Sequence, residues 1–223
     1  MRTTKNTTFM SIMLLSLLVF LKSPTFGQDK IDSLANGDNF FNKMLDYSRP
    51  GKYHQIIGDL VGAWAWKGRH YSGNPNPDSN KVEIEFRGTS IRKAFANGRF
   101  FITEAISDKD QKLQSPIQNG KMVEVNAEEI TTEGYDNVKK KFVQTLIGNH
   151  LGSGLRYSEG EFDSTTKTII YNRVEELVPS MTMKVIEHFI IQDNDHYTIE
   201  IYGERNGSII KDTEINYTRV KKK

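Results

Sequence analysis

Apolar and polar residues alternate with a period of two through much of the chain. Val82, Ile84 and Phe86 are separated by Glu83, Glu85 and Arg87; Val123 and Val125 flank Glu124; Tyr197, Ile199 and Ile201 are separated by Thr198 and Glu200. This spacing predicts half-buried strands, apolar on one face and wet on the other. Runs rich in β-branched and aromatic residues extend from Phe100 to Ile106, Phe142 to Ile147, Thr168 to Val174, Thr182 to Ile191 and Ile209 to Val220. Turn signals fall between the β runs at Asn97-Gly98, Asn119-Gly120, Gly160, Asp193-Asn194-Asp195 and Asn206-Gly207. The stretches Asn74 to Asp78 and Asp108 to Gln118 read as longer loops. About nine or ten strands at hairpin spacing are expected.

Ahead of Trp64 the spacing is helical instead. Tyr53, Ile56, Ile57 and Leu60 share one face after Pro50-Gly51, which predicts a short helix over about 51–60. Ile31, Leu34, Phe41, Met44 and Leu45 suggest a less regular one before it. No helical pattern follows Gly62, so the crossovers of a parallel sheet are missing. Many sequential antiparallel strands must curl shut or split into two sheets. Closure leaves no unpaired edge. The expected class is therefore all-β, an up-and-down antiparallel β-barrel with the short helix plugging one end or packing outside. A two-sheet sandwich is the alternative.

The N-terminus has a different character. Arg2 and Lys5 precede the apolar run Phe9 to Leu21, and Thr25-Phe26-Gly27 offers small residues for cleavage. This reads as a signal peptide over residues 1–27, too short for the ~20 apolar residues of a spanning helix, the competing anchor reading. The segment carries three basic residues and no acid, so beyond it 27 basic side chains face 28 acidic ones and the formal +2 becomes −1. A basic footprint for nucleic acid vanishes with it. The expected organisation is an extension over 28–50, one barrel domain over 51–220 and a basic tail over 221–223. Export to the periplasm or beyond the cell, no membrane span after cleavage, and a monomer or homodimer complete that expectation. The 223 residues contain no cysteine, which excludes disulfides, thiolate metal sites and cysteine nucleophiles.

Short motifs recur in an order that resembles a known family. They are His54 followed by Leu60 to Trp64 (LVGAW), Asn97 to Phe101 (NGRFF), Glu133 to Asn137 (EGYDN) and Lys139 to Val143 (KKKFV). Gly152 to Leu155 (GSGL), Tyr157 to Thr168 (YSEGEFDSTTKT) and Glu214 to Arg219 (EINYTR) follow. The series is similar to the bacterial domain-of-unknown-function family fifteen seventy-nine over about residues 50–220. The resemblance implies a lipocalin-like barrel and no established activity. Leu146-Ile147-Gly148-Asn149 stands where that family commonly has a Trp and an acid, so any family site resting on that pair is altered here.

Candidate chemistry is sparse. His54, His70, His150, His188 and His196 show no ligand spacing, no nucleophile elbow is present, and no cofactor or metal is expected. Polar residues in phase with apolar faces say more, because inward and outward positions alternate along barrel strands. Glu104 falls among Phe100, Ile102 and Ile106, and Glu187 among Val185, Phe189 and Ile191. Tyr157 leads to Glu159, Tyr171 to Arg173, and Tyr217 to Arg219. Trp64 and Trp66 share a face, Trp64 reading as core. The expected ligand-binding set is Trp66, Phe100, Glu104, Tyr157, Tyr171, Arg173, Glu187, Tyr217 and Arg219. It would line a lumen of roughly 300–1,000 Å³ holding a small apolar or amphipathic, lipid-like molecule. The alternatives are an isomerase or hydrolase using Glu104 or Glu187 for proton transfer, and a structural or interaction protein. A slip of one residue in strand phase reverses every one of these assignments.

Overall fold

The computed structural model describes residues 37–109, 112–114, 122–124, 127–149 and 154–221. The export segment expected over 1–27, the Asn119-Gly120 turn and Gly152-Ser153 lie outside them. The chain divides into two units, Met1–Asp46 and Tyr47–Lys223. Helix α1 (Gly37–Ser48) begins in the first, where Phe40, Phe41 and Met44 are exposed.

The second unit holds helix α2 (Lys52–Gly58), then strands β1 (Gly62–Tyr71), β2 (Val82–Phe95), β3 (Phe100–Ser107), β4 (Lys112–Gln114) and β5 (Met122–Glu124). It continues with β6 (Glu128–Asp136), β7 (Lys141–Gly148), β8 (Arg156–Asp163), β9 (Thr168–Val178), β10 (Met181–Ile191), β11 (His196–Arg205) and β12 (Ser208–Arg219). Ten of these form a closed antiparallel barrel in the order β1-β12-β11-β10-β9-β8-β7-β6-β3-β2, with β2 pairing back to β1. Closure removes the sandwich alternative. The remaining two strands, β4 and β5, lie between β3 and β6 in sequence and pair antiparallel with each other; β4 falls where a loop was expected, and β5 on the strand expected around Val123.

Turn chemistry matches several joints. Asn97 and Gly98 both take positive φ between β2 and β3, and Asn206 and Gly207 do so between β11 and β12. Gly160 is a correction: it lies inside β8, opposite Tyr171, where a Cβ would come within 2.7 Å of the Tyr171 ring. The glycine admits a close-packed tyrosine rather than a turn.

Helix α2 follows Pro50 and Gly51, and the Gly51 N–H donates to His54 Nδ1 at 3.0 Å. Its buried Ile57 joins Leu60, Trp64, Phe101, Phe142, Ile169 and Phe189 in one apolar cluster at an end of the barrel. The helix plugs that end. Trp64 Nε1 donates to the Leu60 carbonyl at 3.0 Å, so the indole is buried with its polar atom satisfied.

Candidate functional site in the barrel lumen

Counting inward from the α2 end, each strand sends alternate residues to the interior, and the first layer is the apolar cluster. Behind it the interior changes character. From β2 comes Arg92, from β3 Thr103, from β6 Glu133, Thr131 and Glu129, from β7 Gln144, from β8 Arg156, from β9 Arg173, and from β10 Glu187. Facing them are Phe189 of β10, Tyr197, Ile199 and Ile201 of β11, and Ile215 and Tyr217 of β12. One wall of the lumen is mostly charged and polar, interrupted by Ala105 of β3 and Leu146 of β7, and the other is aromatic and aliphatic. Between them lies a cavity of about 90 Å³.

That volume corrects the expectation of several hundred Å³. The lumen is occupied by long side chains that must neutralise one another, since a buried unpaired charge is costly. Arg92 Nη2 meets Glu133 Oε2 at 2.7 Å, both side chains being at most 2% exposed. Arg92 Nε donates to Thr103 Oγ1 at 2.9 Å, and the guanidinium lies 5.2 Å from the Phe189 and Tyr197 ring centres. Farther from the plug, Arg173 donates to Glu175 at 2.6 Å and to Glu187 at 3.1 Å. Gln144 donates to Glu187 at 3.0 Å, and Arg156 reaches Glu175 at 3.2 Å. Thr131 donates to Glu129 at 3.1 Å.

The electrostatics follow from burial. Loss of water pushes the Glu133 carboxyl above its ordinary range against the pull of Arg92. Burial does the same to Glu129, with Thr131, Arg156 and Arg173 opposing it. The hydroxyls of Tyr171 and Tyr217 are raised well above the usual tyrosine value by desolvation, so both are neutral donors.

The residues expected in the lumen divide. Tyr171, Arg173, Glu187 and Tyr217 face inward, as does Trp66, which stacks edge-on with Phe86. Arg173 and Glu187 form a direct pair. Phe100, Glu104 and Tyr157 face outward. On β3 the buried positions are Phe101, Thr103 and Ser107, so the strand is one residue out of the expected phase. Glu104 is 54% exposed and pairs with Lys93 at 3.2 Å. Tyr157 is 46% exposed and donates to Glu159 on the outer surface. Arg219 belongs to the plugged end, donating to the carbonyls of Asp59, Val61 and Asn194 and lying over the Trp64 ring. It ties chain segments together there and does not line the cavity. As for proton transfer, Glu104 is outside the lumen, and both carboxylate oxygens of Glu187 are held, one by Gln144 and one by Arg173.

Arg92, Glu129, Glu133, Gln144 and Arg156 were missed by the sequence reading. A signal existed for Arg92. Carrying the β2 phase on from Ile84 and Phe86 places Gly88, Ser90 and Arg92 inside, as the burial pattern shows. For β6 no such signal existed, because its inward face is Glu129, Thr131 and Glu133 while Ile130 is exposed.

No curated protein matches the chain. Among solved structures it is similar to an S-type phycobiliprotein lyase from Guillardia theta at 9% identity, over 77% of this chain and 94% of the other, with a TM-score of 0.46. It is also similar to a protein of unknown function of the DUF3598 family from Nostoc punctiforme at 7% identity, over 77% and 100% of the two chains, with a TM-score of 0.22. Residues 49–219 match the family described as protein of unknown function (DUF1579), so this chain, with its barrel and charged lumen, belongs to that family.

Proposed function

We propose that this barrel binds a small amphipathic molecule in its lumen. The observation that carries the reading is the division of one cavity between a charged wall, Arg92 to Glu187, and an aromatic and aliphatic wall, Phe189 to Tyr217. Six arginine and glutamate side chains line this cavity, Arg92, Glu129, Glu133, Arg156, Arg173 and Glu187, and a polar group on the ligand would meet them while the aliphatic wall takes its apolar part. The free space is small, about 90 Å³. The occupant is therefore short, or inserts only one end. Its apolar flank lies on Ile199, Ile201 and Ile215.

Native mass spectrometry of gently purified protein, before and after incubation with octanoic acid, octanamide and octanol, tests this reading. A one-to-one complex is expected with at least one of them. An empty barrel that takes up none of the three contradicts it.

The reading includes export to the periplasm or the exterior, on the strength of Arg2, Lys5 and the apolar run Phe9 to Leu21. N-terminal sequencing of the protein from its native source should begin at Gln28; an intact Met1 on an intracellular protein contradicts it.

A further inference from the structure

Building on the lumen-binding reading, we propose that the polar end of the ligand is an acyl group seated between Arg92 and Glu133, offering an acceptor and a donor on neighbouring atoms: a carboxylic acid taken up with its proton, or a primary amide. Both residues line the cavity. Every other charged group there is engaged by the network: Arg173 and Glu187 by each other, Glu187 also by Gln144, Arg156 by Glu175, Glu129 by Thr131. The pair nearest the plug is incomplete. Among the described residues, Arg92 Nη1 and both Glu133 carboxylate oxygens are buried with no hydrogen-bond partner, Oε2 meeting Arg92 only as an ion pair, and so are Ser90 Oγ, Trp66 Nε1 and the nearby Tyr171 hydroxyl. Buried polar groups are normally satisfied by protein, water or a bound group, so these orphans mark where a ligand's polar atoms can be met.

Arg92 cannot turn away to satisfy itself. Thr103 holds its Nε, Glu133 its Nη2, and the Phe189 and Tyr197 rings flank the guanidinium. The open donor and the open acceptor are thus held in place, and a group that accepts from one and donates to the other completes both. A carbonyl oxygen beside an O–H or N–H does this. An ammonium offers no acceptor and would set a second cation by Arg92.

Charge decides how an acid enters. The interior network holds three arginines, Arg92, Arg156 and Arg173, against four glutamates, Glu129, Glu133, Glu175 and Glu187. A bare carboxylate would add a fifth negative charge, so the acid arrives with its proton or Glu133 takes one up. The groups facing Glu133 are Arg92 from β2, Tyr171 from β9 and Glu187 from β10. Tyr197 and Tyr217 bear on the same pair through Arg92. Burial already raises the Glu133 carboxyl, which favours the protonated complex.

Calorimetric titration of the full-length protein with hexanoic acid, hexanamide, hexanol and hexylammonium, repeated across pH, is the test. Above the pKa values of both the acid and Glu133, the acid should bind about tenfold more weakly for each pH unit, with one proton taken up, while the amide shows no such decline. Glu133→Gln should abolish the slope for the acid, a change that a merely structural role would not produce. The wild-type slopes decide the matter if that variant does not fold. Alcohol or ammonium binding as well as acid and amide, or an acid that binds without a pH slope, overturns the acyl assignment and leaves the lumen reading standing. Failure of all four to bind overturns the lumen reading itself.

Discussion

Arg92 and Glu133 form an ion pair with almost no access to water, so neither can lose its partner cheaply. Removing one member of a buried pair costs about 3–5 kcal/mol, whereas replacing both with apolar residues is often near neutral. Arg92→Ala should therefore lower the free energy of urea unfolding by about 3–5 kcal/mol, and Arg92→Leu with Glu133→Leu by much less. Equal losses would show that the pair is not coupled. Glu129 tests the other aspect of burial. Its carboxyl is raised in the fold, so the folded state holds the proton more tightly than the unfolded chain does. Its contribution to stability is full below the ordinary carboxylate range and is lost as pH rises through the raised folded value. Glu129→Gln removes that loss, so the variant should match the wild type in acid and exceed it in melting temperature near neutrality. A melting difference that does not change with pH contradicts the assignment.

The elements show how far alternation carries and where it stops. Helix α2 was legible from Tyr53, Ile56, Ile57 and Leu60, and the plug it forms follows from that face. Replacing Ile57, fully buried in the apolar cluster, with alanine should cost about 2–5 kcal/mol in denaturant unfolding. The same change at Ile130, 41% exposed on the outer face of β6, should cost far less; similar costs would mean that α2 does not plug the barrel. Strand β3 was misread for a physical reason. Its outer face carries Phe100, Ile102 and Ile106 while its inner face carries Thr103 and Ser107, so the more apolar face points away from the lumen. A period of two identifies two faces and is silent on which is inside when the interior itself is polar. The same inversion hid Glu129 and Glu133 on β6 and misplaced Tyr157 on β8.

At the scale of the whole molecule, the closed barrel was legible because turn signals, missing crossovers and strand count allow few other arrangements. The contents of the barrel were only half legible. Tyr171, Arg173, Glu187 and Tyr217 were placed inside correctly, yet the arginines and glutamates from β2, β6 and β8 turn an expected spacious lumen into a tight one of about 90 Å³. Charged and apolar walls meeting across that space are the central claim. Methyl NMR of isoleucine-labelled protein titrated with hexanoic acid tests it most directly. The account predicts that the Ile199, Ile201 and Ile215 methyl signals shift on binding while those of the outward-facing Ile91, Ile106 and Ile130 stay in place. Shifts confined to the outer isoleucines, or none at all, would contradict it.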